Sequence, residues 1–246
     1  MAGGVTLYAI FTQSHMPLMF AIPICLGVCV TVALASQWIV VVPLLKKGVS
    51  PLNVSIITVG VGMILDMVAM MLFGKDPLAV SSFSGDKPIG ILGATIVPQD
   101  LWVVGFTIIC LLLTLFFFKK TWIGKAMTGL GDNPVLAKAS GFPVGRLFTY
   151  SFVFAALTSG IAGIASAPVS YTGYWVGTRL TIKGFVAAAV GGINNPWGAL
   201  LGGFIIGLLE SLTAGFISSR LKDLITIVLL LLVLRLRPQG LMGERQ

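Results

Sequence analysis

Residues 183–210 read KGFVAAAVGGINNPWGALLGGFIIGLLE, two apolar runs broken at Asn194-Asn195-Pro196. The first run, Arg179 to Ile193, carries Gly184, Gly191 and Gly192. Helix of this length covers about 20 Å, less than a hydrocarbon core of about 30 Å. A broken helix is tolerated at membrane depth only where it is buried in protein or lines a cavity. The second run is long enough to span and carries two overlapping small-residue faces, Gly198-x3-Gly202 and Gly203-x3-Gly207. Such faces let helix backbones approach closely where lipid supplies no hydrophobic drive. The stretch predicts two packed membrane segments, one of them short, and points to a pathway rather than a passive anchor.

The rest of the chain has the same character. It holds 57% hydrophobic and only 10% charged residues, with a mean hydropathy of +1.01. A soluble fold of this size needs far more charge to cover its surface. The apolar runs do not alternate as barrel strands do. The fold class is all-α: a polytopic transmembrane helical bundle in a single domain, residues 1–246. Its predicted segments are 3–12, 17–43, 52–73, 101–118, 147–168, 179–193, 197–217 and 223–237. The first, like Arg179 to Ile193, is too short for an ordinary span.

Placing Lys46-Lys47 in the cytoplasm fixes every other loop by alternation. The cytoplasmic side then carries ten basic residues against two acidic, and everything else six of each. That asymmetry is the positive-inside rule, so the net charge of +8 reads as topology and not as nucleic-acid binding. Trp102, Trp122, Trp175 and Trp197 fall at predicted span ends. The outward loop 74–100 contains Pro88 to Leu92 and Thr95 to Val97 flanking Gly93-Ala94, which reads as a small hairpin and as a cap or docking surface.

The inward loop 119–146 is a polar island with Lys119, Lys120, Lys125, Lys138 and Arg146 against Asp132. Asp132 and Asn133 offer capping oxygens, Pro134 suits a first helical turn, and Gly141 is a natural stop. A short helix over 133–141 follows, a handle for another protein.

Three ionisable residues lie at membrane depth: Asp66, Lys183 and Glu210. Each is costly there unless paired or wetted. Lys183 and Glu210 sit where they can pair across adjacent helices, as a lock between them or as part of a substrate path. Asp66 lies near the outer end of its span. Cys25, Cys29 and Cys110 are inside apolar runs and imply neither a disulfide framework nor a metal site, and His15 is a lone histidine at an outer turn. No phosphate loop, metal cluster or Ser-His-Asp set is present, and Gly60-x-Gly62 sits in mid-span, where it is no dinucleotide fingerprint. The chain reads as a non-enzyme without cofactor, and any ATP with its magnesium belongs to another subunit.

Residues 183–210 closely resemble the hallmark of bacterial branched-chain amino acid ABC transporter permeases. The island, from Gly124-Lys-Ala through Asp132-Asn-Pro to Ala137-Lys-Ala-Ser-Gly141, is similar to that family's cytoplasmic coupling loop. The ending Arg235-Leu-Arg-Pro-Gln-Gly-Leu-Met-Gly243 resembles the family's usual close. The resemblance covers nearly the whole chain. It implies a type II importer-like permease in the inner membrane with its C-terminus cytoplasmic, working with ATPase subunits, a second permease (identical or different) and a periplasmic binding protein. It also implies that Asp132, Asn133, Pro134, Ala137, Lys138 and Gly141 couple to the ATPases. The chain departs from the family by lacking an additional first span, so segment 3–12 reads as the remnant of a fuller broken helix. Met127 and Gly129 also stand where the family often carries polar or basic residues. The alternative reading is an ATP-independent channel or secondary carrier for a small polar solute such as urea or short amides, which would need no docking helix and would often show an inverted repeat. A scaffold would leave the broken segments unexplained.

Overall fold

A computed structural model describes residues 1–14, 16–47, 51–83, 89–91, 94–132, 134–192, 195–219, 221–237 and 239–242. His15 and Asn133 lie outside them. The chain divides into two compact units, Met1–Thr178 and Arg179–Gln246.

In the first unit, α1 (Ala2–Leu7) widens into a π-helical turn at Tyr8–Gln13, and α2 (Leu18–Ser36) runs through a π-helical stretch, Gln37–Val41, into α3 (Val42–Lys46). Then come α4 (Pro51–Phe73), strands β1 (Ile89–Ile91) and β2 (Ala94–Ile96), α5 (Pro98–Lys120), α6 (Trp122–Asp132), α7 (Pro134–Ala139) and α8 (Val144–Ser166). α9 (Val176–Gly191) opens at the boundary, and α10 (Pro196–Phe216) and α11 (Lys222–Leu236) complete the second unit.

The chain is therefore a multi-pass helical membrane protein. Among the described residues five helices are long and apolar enough to cross a bilayer: Leu18–Leu45, Ile56–Phe73, Pro98–Lys120, Val144–Ser166 and Pro196–Phe216. Their ends fall within a few residues of the sequence reading, because an apolar run in lipid has only the helix to satisfy its backbone. α9 has 16 residues, about 24 Å, and is short as expected. α11 matches the 223–237 run in length, its 15 residues reaching about 22 Å.

Close backbone approach holds the first unit together. A methyl group at Gly3 would lie 2.8 Å from the carbonyl oxygen of Gly160, so α1 approaches α8 this closely because Gly3 has no side chain. Around this contact Leu7, Ala21, Cys25, Val80, Ile164 and Ala167 form a buried cluster. Cys25 and Cys29 serve as small packing groups, and the Cys29 sulfur sits 3.2 Å from where a Gly160 methyl would be.

The loop after α4 folds onto this cluster. Leu78 and Thr172 exchange backbone hydrogen bonds of 2.8 and 2.9 Å, tying it to the loop after α8. Phe83 stacks edge-on between Phe11 and Trp102, and its N–H donates to Gln99 Oε1 at 3.2 Å. The expected hairpin is present: β1 and β2 pair antiparallel, Ile89 opposite Ile96 and Ile91 opposite Ala94.

Candidate functional site

The second unit brings its charges together at one end, where α9 and α11 begin and α10 finishes. Arg179 and Lys183 stand one turn apart on α9, hence on one face. Asp223 and Thr226 share a face of α11 in the same way. Lys183 Nζ donates to both oxygens of Glu210 at 2.7 Å and lies 3.2 Å from Asp223 Oδ1. Arg179 Nη2 donates to Asp223 Oδ2 at 3.2 Å, and the Thr226 hydroxyl donates to Glu210 Oε1 at 2.9 Å. The Lys183–Glu210 bond is bidentate and half-buried, and α9, α10 and α11 all contribute to the cluster. Geometry alone is compatible with a lock or with a place on a substrate path.

At the other end of the same unit, where Arg237 Nη1 donates to Leu241 O at 3.5 Å, the joining contacts are between backbones. A methyl group at Gly191 would overlap the Gly198 carbonyl, and one at Gly202 would overlap the Ala187 carbonyl. The α9–α10 corner is thus a backbone-to-backbone contact with no room for a side chain. Asn195 caps α10, its Oδ1 accepting from Trp197 N at 3.0 Å. The C-terminal segment then lies along the end of α9: Leu241 N donates to Val190 O and Met242 N to Gly191 O, both at 2.9 Å. These bonds satisfy carbonyls that a helix end leaves open. Gly240 has φ +82°, and a methyl there would lie 2.6 Å from Gly192 N. Gly198 and Gly202 are therefore packing residues within the unit. Gly203 reaches only ordinary contact with Ala187, and Gly207 faces open space among the described residues.

Asp66 belongs to the first unit, where the Thr178 hydroxyl donates to its carboxylate. The first unit also carries a half-open cavity of about 290 Å³, lined by the start of α1 and by Ser36, Thr58, Phe152 and Ser159 among others. Ser36 and Ser159 hydroxyls donate back to their own helices.

The island between α5 and α8 is a helical hairpin. Its helix at Pro134–Ala139 was expected, and so was the stop at Gly141, whose φ is +78°. α6 was not. Thr121 caps it, its hydroxyl accepting from Gly124 N at 3.0 Å. The signal was present: Ile123, Ala126, Met127 and Leu130 recur at helical spacing, and a strongly polar island drew attention away from them. Ala126, Leu130, Ala137 and Leu147 form the core of this hairpin, with Met127 and Phe142 packed around it. Ala137 is 7% exposed and packs α7 against α6, while its neighbour Leu136 is 62% exposed. Gly129 and Lys125 are exposed as well. The side chains of Asp132, Pro134 and Lys138 lie outside the described residues.

Asp223, Thr226 and the C-terminal clasp are further residues that sequence reading did not single out. Asp223 opens the 223–237 run, and nothing in a sequence shows which side chains it, or which carbonyls a tail, will reach. Buried amides were also missed. Gln37, 1% exposed, donates to the Thr149 hydroxyl at 2.8 Å, and Gln99, 2% exposed, donates to Ala165 O at 3.4 Å. Among the described residues no group of three His, Cys, Asp or Glu side chains gathers as a metal site requires.

Comparison with known proteins adds to this geometry. Residues 1–234 match the family described as branched-chain amino acid transport system, permease component. The high-affinity branched-chain amino acid transport system permease protein LivH of Escherichia coli K12 is 27% identical over 193 residues, 76% of this chain and 62% of LivH. The probable branched-chain amino acid transport permease protein LivH of Methanocaldococcus jannaschii is 25% identical over 251 residues, 96% of this chain and 76% of that protein. BraD of Pseudomonas aeruginosa, a permease protein of the same kind of system, is 24% identical, over 74% of this chain and 64% of BraD. The chain thus spans about three fifths of the length of the E. coli relative. No solved structure matches the chain.

Proposed function

The chain belongs to the family of branched-chain amino acid transport permease components, and from that premise we propose that it is a membrane subunit of an ATP-driven importer of branched-chain or related amino acids. It is one permease domain over residues 1–246, set in the inner membrane with the C-terminus and the 119–146 hairpin in the cytoplasm and the 74–100 loop outside. It catalyses no reaction and binds no cofactor. ATP and magnesium are handled by partner ATPases, a second permease completes the pathway, and a periplasmic binding protein delivers the substrate. The observation that carries this reading is the family match over residues 1–234 together with a separately cored helical hairpin in the most basic inward loop. The relatives' names speak for amino acid transport systems and against a free-standing channel or carrier for urea or amides.

In this reading α6 and α7 form a rigid lever. Ala137 fastens it from within, and Leu136, Lys125 and Trp122 are the surface it offers. The test is Leu136→Glu, which alters that surface and spares the core beneath. Co-purification with the ATPase and uptake are both expected to fall more than about tenfold, the scale of losing an interfacial anchor, with the chain still in the membrane. Full co-purification would overturn the docking face. Undiminished uptake with no ATPase present would overturn the importer.

A further inference from the structure

Four ionised side chains of the second unit form a single line of contacts in alternating sign. Arg179 meets Asp223 at 3.2 Å, Asp223 meets Lys183 at 3.2 Å, and Lys183 meets Glu210 at 2.7 Å. The line is graded. The side chains of Asp223 and Arg179 are 55% and 49% exposed, those of Lys183 and Glu210 24% and 18%. The innermost contact is also the shortest. A lock between two helices needs one pair; here a third charge, Asp223, bridges the inner pair to an outer cation through its two separate oxygens.

This arrangement has a chemical complement. A free amino acid carries a carboxylate and an ammonium close together, and each resists entering a low-dielectric region unpaired. A single cation that accepted the carboxylate would leave its own counter-ion bare. An alternating line avoids that. As the carboxylate takes Lys183 from Asp223, the freed Asp223 oxygen takes the ammonium, and every charge keeps an opposite neighbour throughout. Asp223 is suited to pivot, being half exposed and held by the two longer bonds. Glu210 is suited to stay, since the Thr226 hydroxyl holds it from the other side. An uncharged solute has no means of making this exchange.

We infer that Arg179, Asp223, Lys183 and Glu210 are an ion-exchange ladder that receives a zwitterionic amino acid, Lys183 taking its carboxylate and Asp223 its ammonium. The inference rests on the importer reading, with this end of the unit facing outward, and specifies the substrate class that the end selects.

The test separates a ladder from a lock. Replacing both members of an internal ion pair by uncharged residues of similar size is often neutral for folding, so Lys183→Met with Glu210→Gln spares a lock and destroys a ladder. The complete transporter, with its ATPases, second permease and binding protein, is reconstituted in vesicles and supplied with ATP and labelled L-leucine. The double variant is expected to assemble with the ATPases as the wild type does and to accumulate leucine at least about tenfold more slowly. Uptake within twofold of wild type overturns the ladder and leaves the importer standing. Asp223→Asn, at the half-exposed rung, guards against a folding failure of the double variant. It is expected to slow uptake about fivefold, and unchanged uptake also overturns the ladder. A wild-type complex that accumulates no zwitterionic amino acid at all overturns both readings.

Discussion

The two ends of the α9–α10–α11 unit are joined by opposite chemistry. At one end Arg179, Lys183, Glu210, Asp223 and Thr226 meet through side chains, over bonds of 2.7 to 3.2 Å. At the other, Gly191, Gly198 and Gly202 bring backbones into contact, and the tail adds two backbone hydrogen bonds. Side-chain bonds can be exchanged without moving a helix, because their rotamers are free to turn. A glycine contact has nothing to turn, since its geometry is the backbone itself. One end is built to trade partners, and the other to hold an angle.

Three substitutions break or sharpen that contrast. The largest effect is expected for Gly198→Val. Its side chain would enter the Gly191 carbonyl, so the helices must part, at a cost above about 4 kcal/mol. Loss of detergent-stable protein in size-exclusion chromatography reads this out, and a stable, monodisperse variant would show that the corner is not tight. Gly240→Val comes next. It combines strain at φ +82° with a clash at Gly192, and about 2–3 kcal/mol is expected, read as a lowered melting midpoint. A midpoint equal to wild type would mean that the tail does not clasp α9. The smallest effect is expected for Arg179→Gln. Its pair with Asp223 is half exposed, and such pairs contribute about 0–1 kcal/mol. A midpoint loss as large as that of Gly240→Val would make the charged end as structural as the glycine end.

The contrast also explains what could be read from sequence. Every long span was legible, because an uninterrupted apolar run leaves the backbone one solution in lipid. The hairpin of β1 and β2 was legible from turn chemistry around Gly93-Ala94. Glycines were legible as a class but not individually. Gly198 and Gly202 press against the α9 backbone, whereas Gly203, with the same spacing, only reaches ordinary contact with Ala187 and Gly207 meets nothing among the described residues. The difference is the direction in which α9 approaches α10, with the C-terminal tail bonded along the end of α9. α6 was overlooked although its period is regular, because charge around it made the segment look like loop. Ala137 entered only through the resemblance, and its burial against α6 was not legible because α6 itself was not.

Sequence by itself determined the class, the number and ends of most spans and the family, since all of these depend on composition and on order along the chain. Tertiary structure alone decided that Asp223 joins Lys183 and Glu210 in one graded line, that the tail closes the end of α9, and that Leu136 and not Ala137 is on the surface. Residues 183 and 223 are 40 positions apart, and a contact at that separation depends on helix crossings that no local pattern encodes.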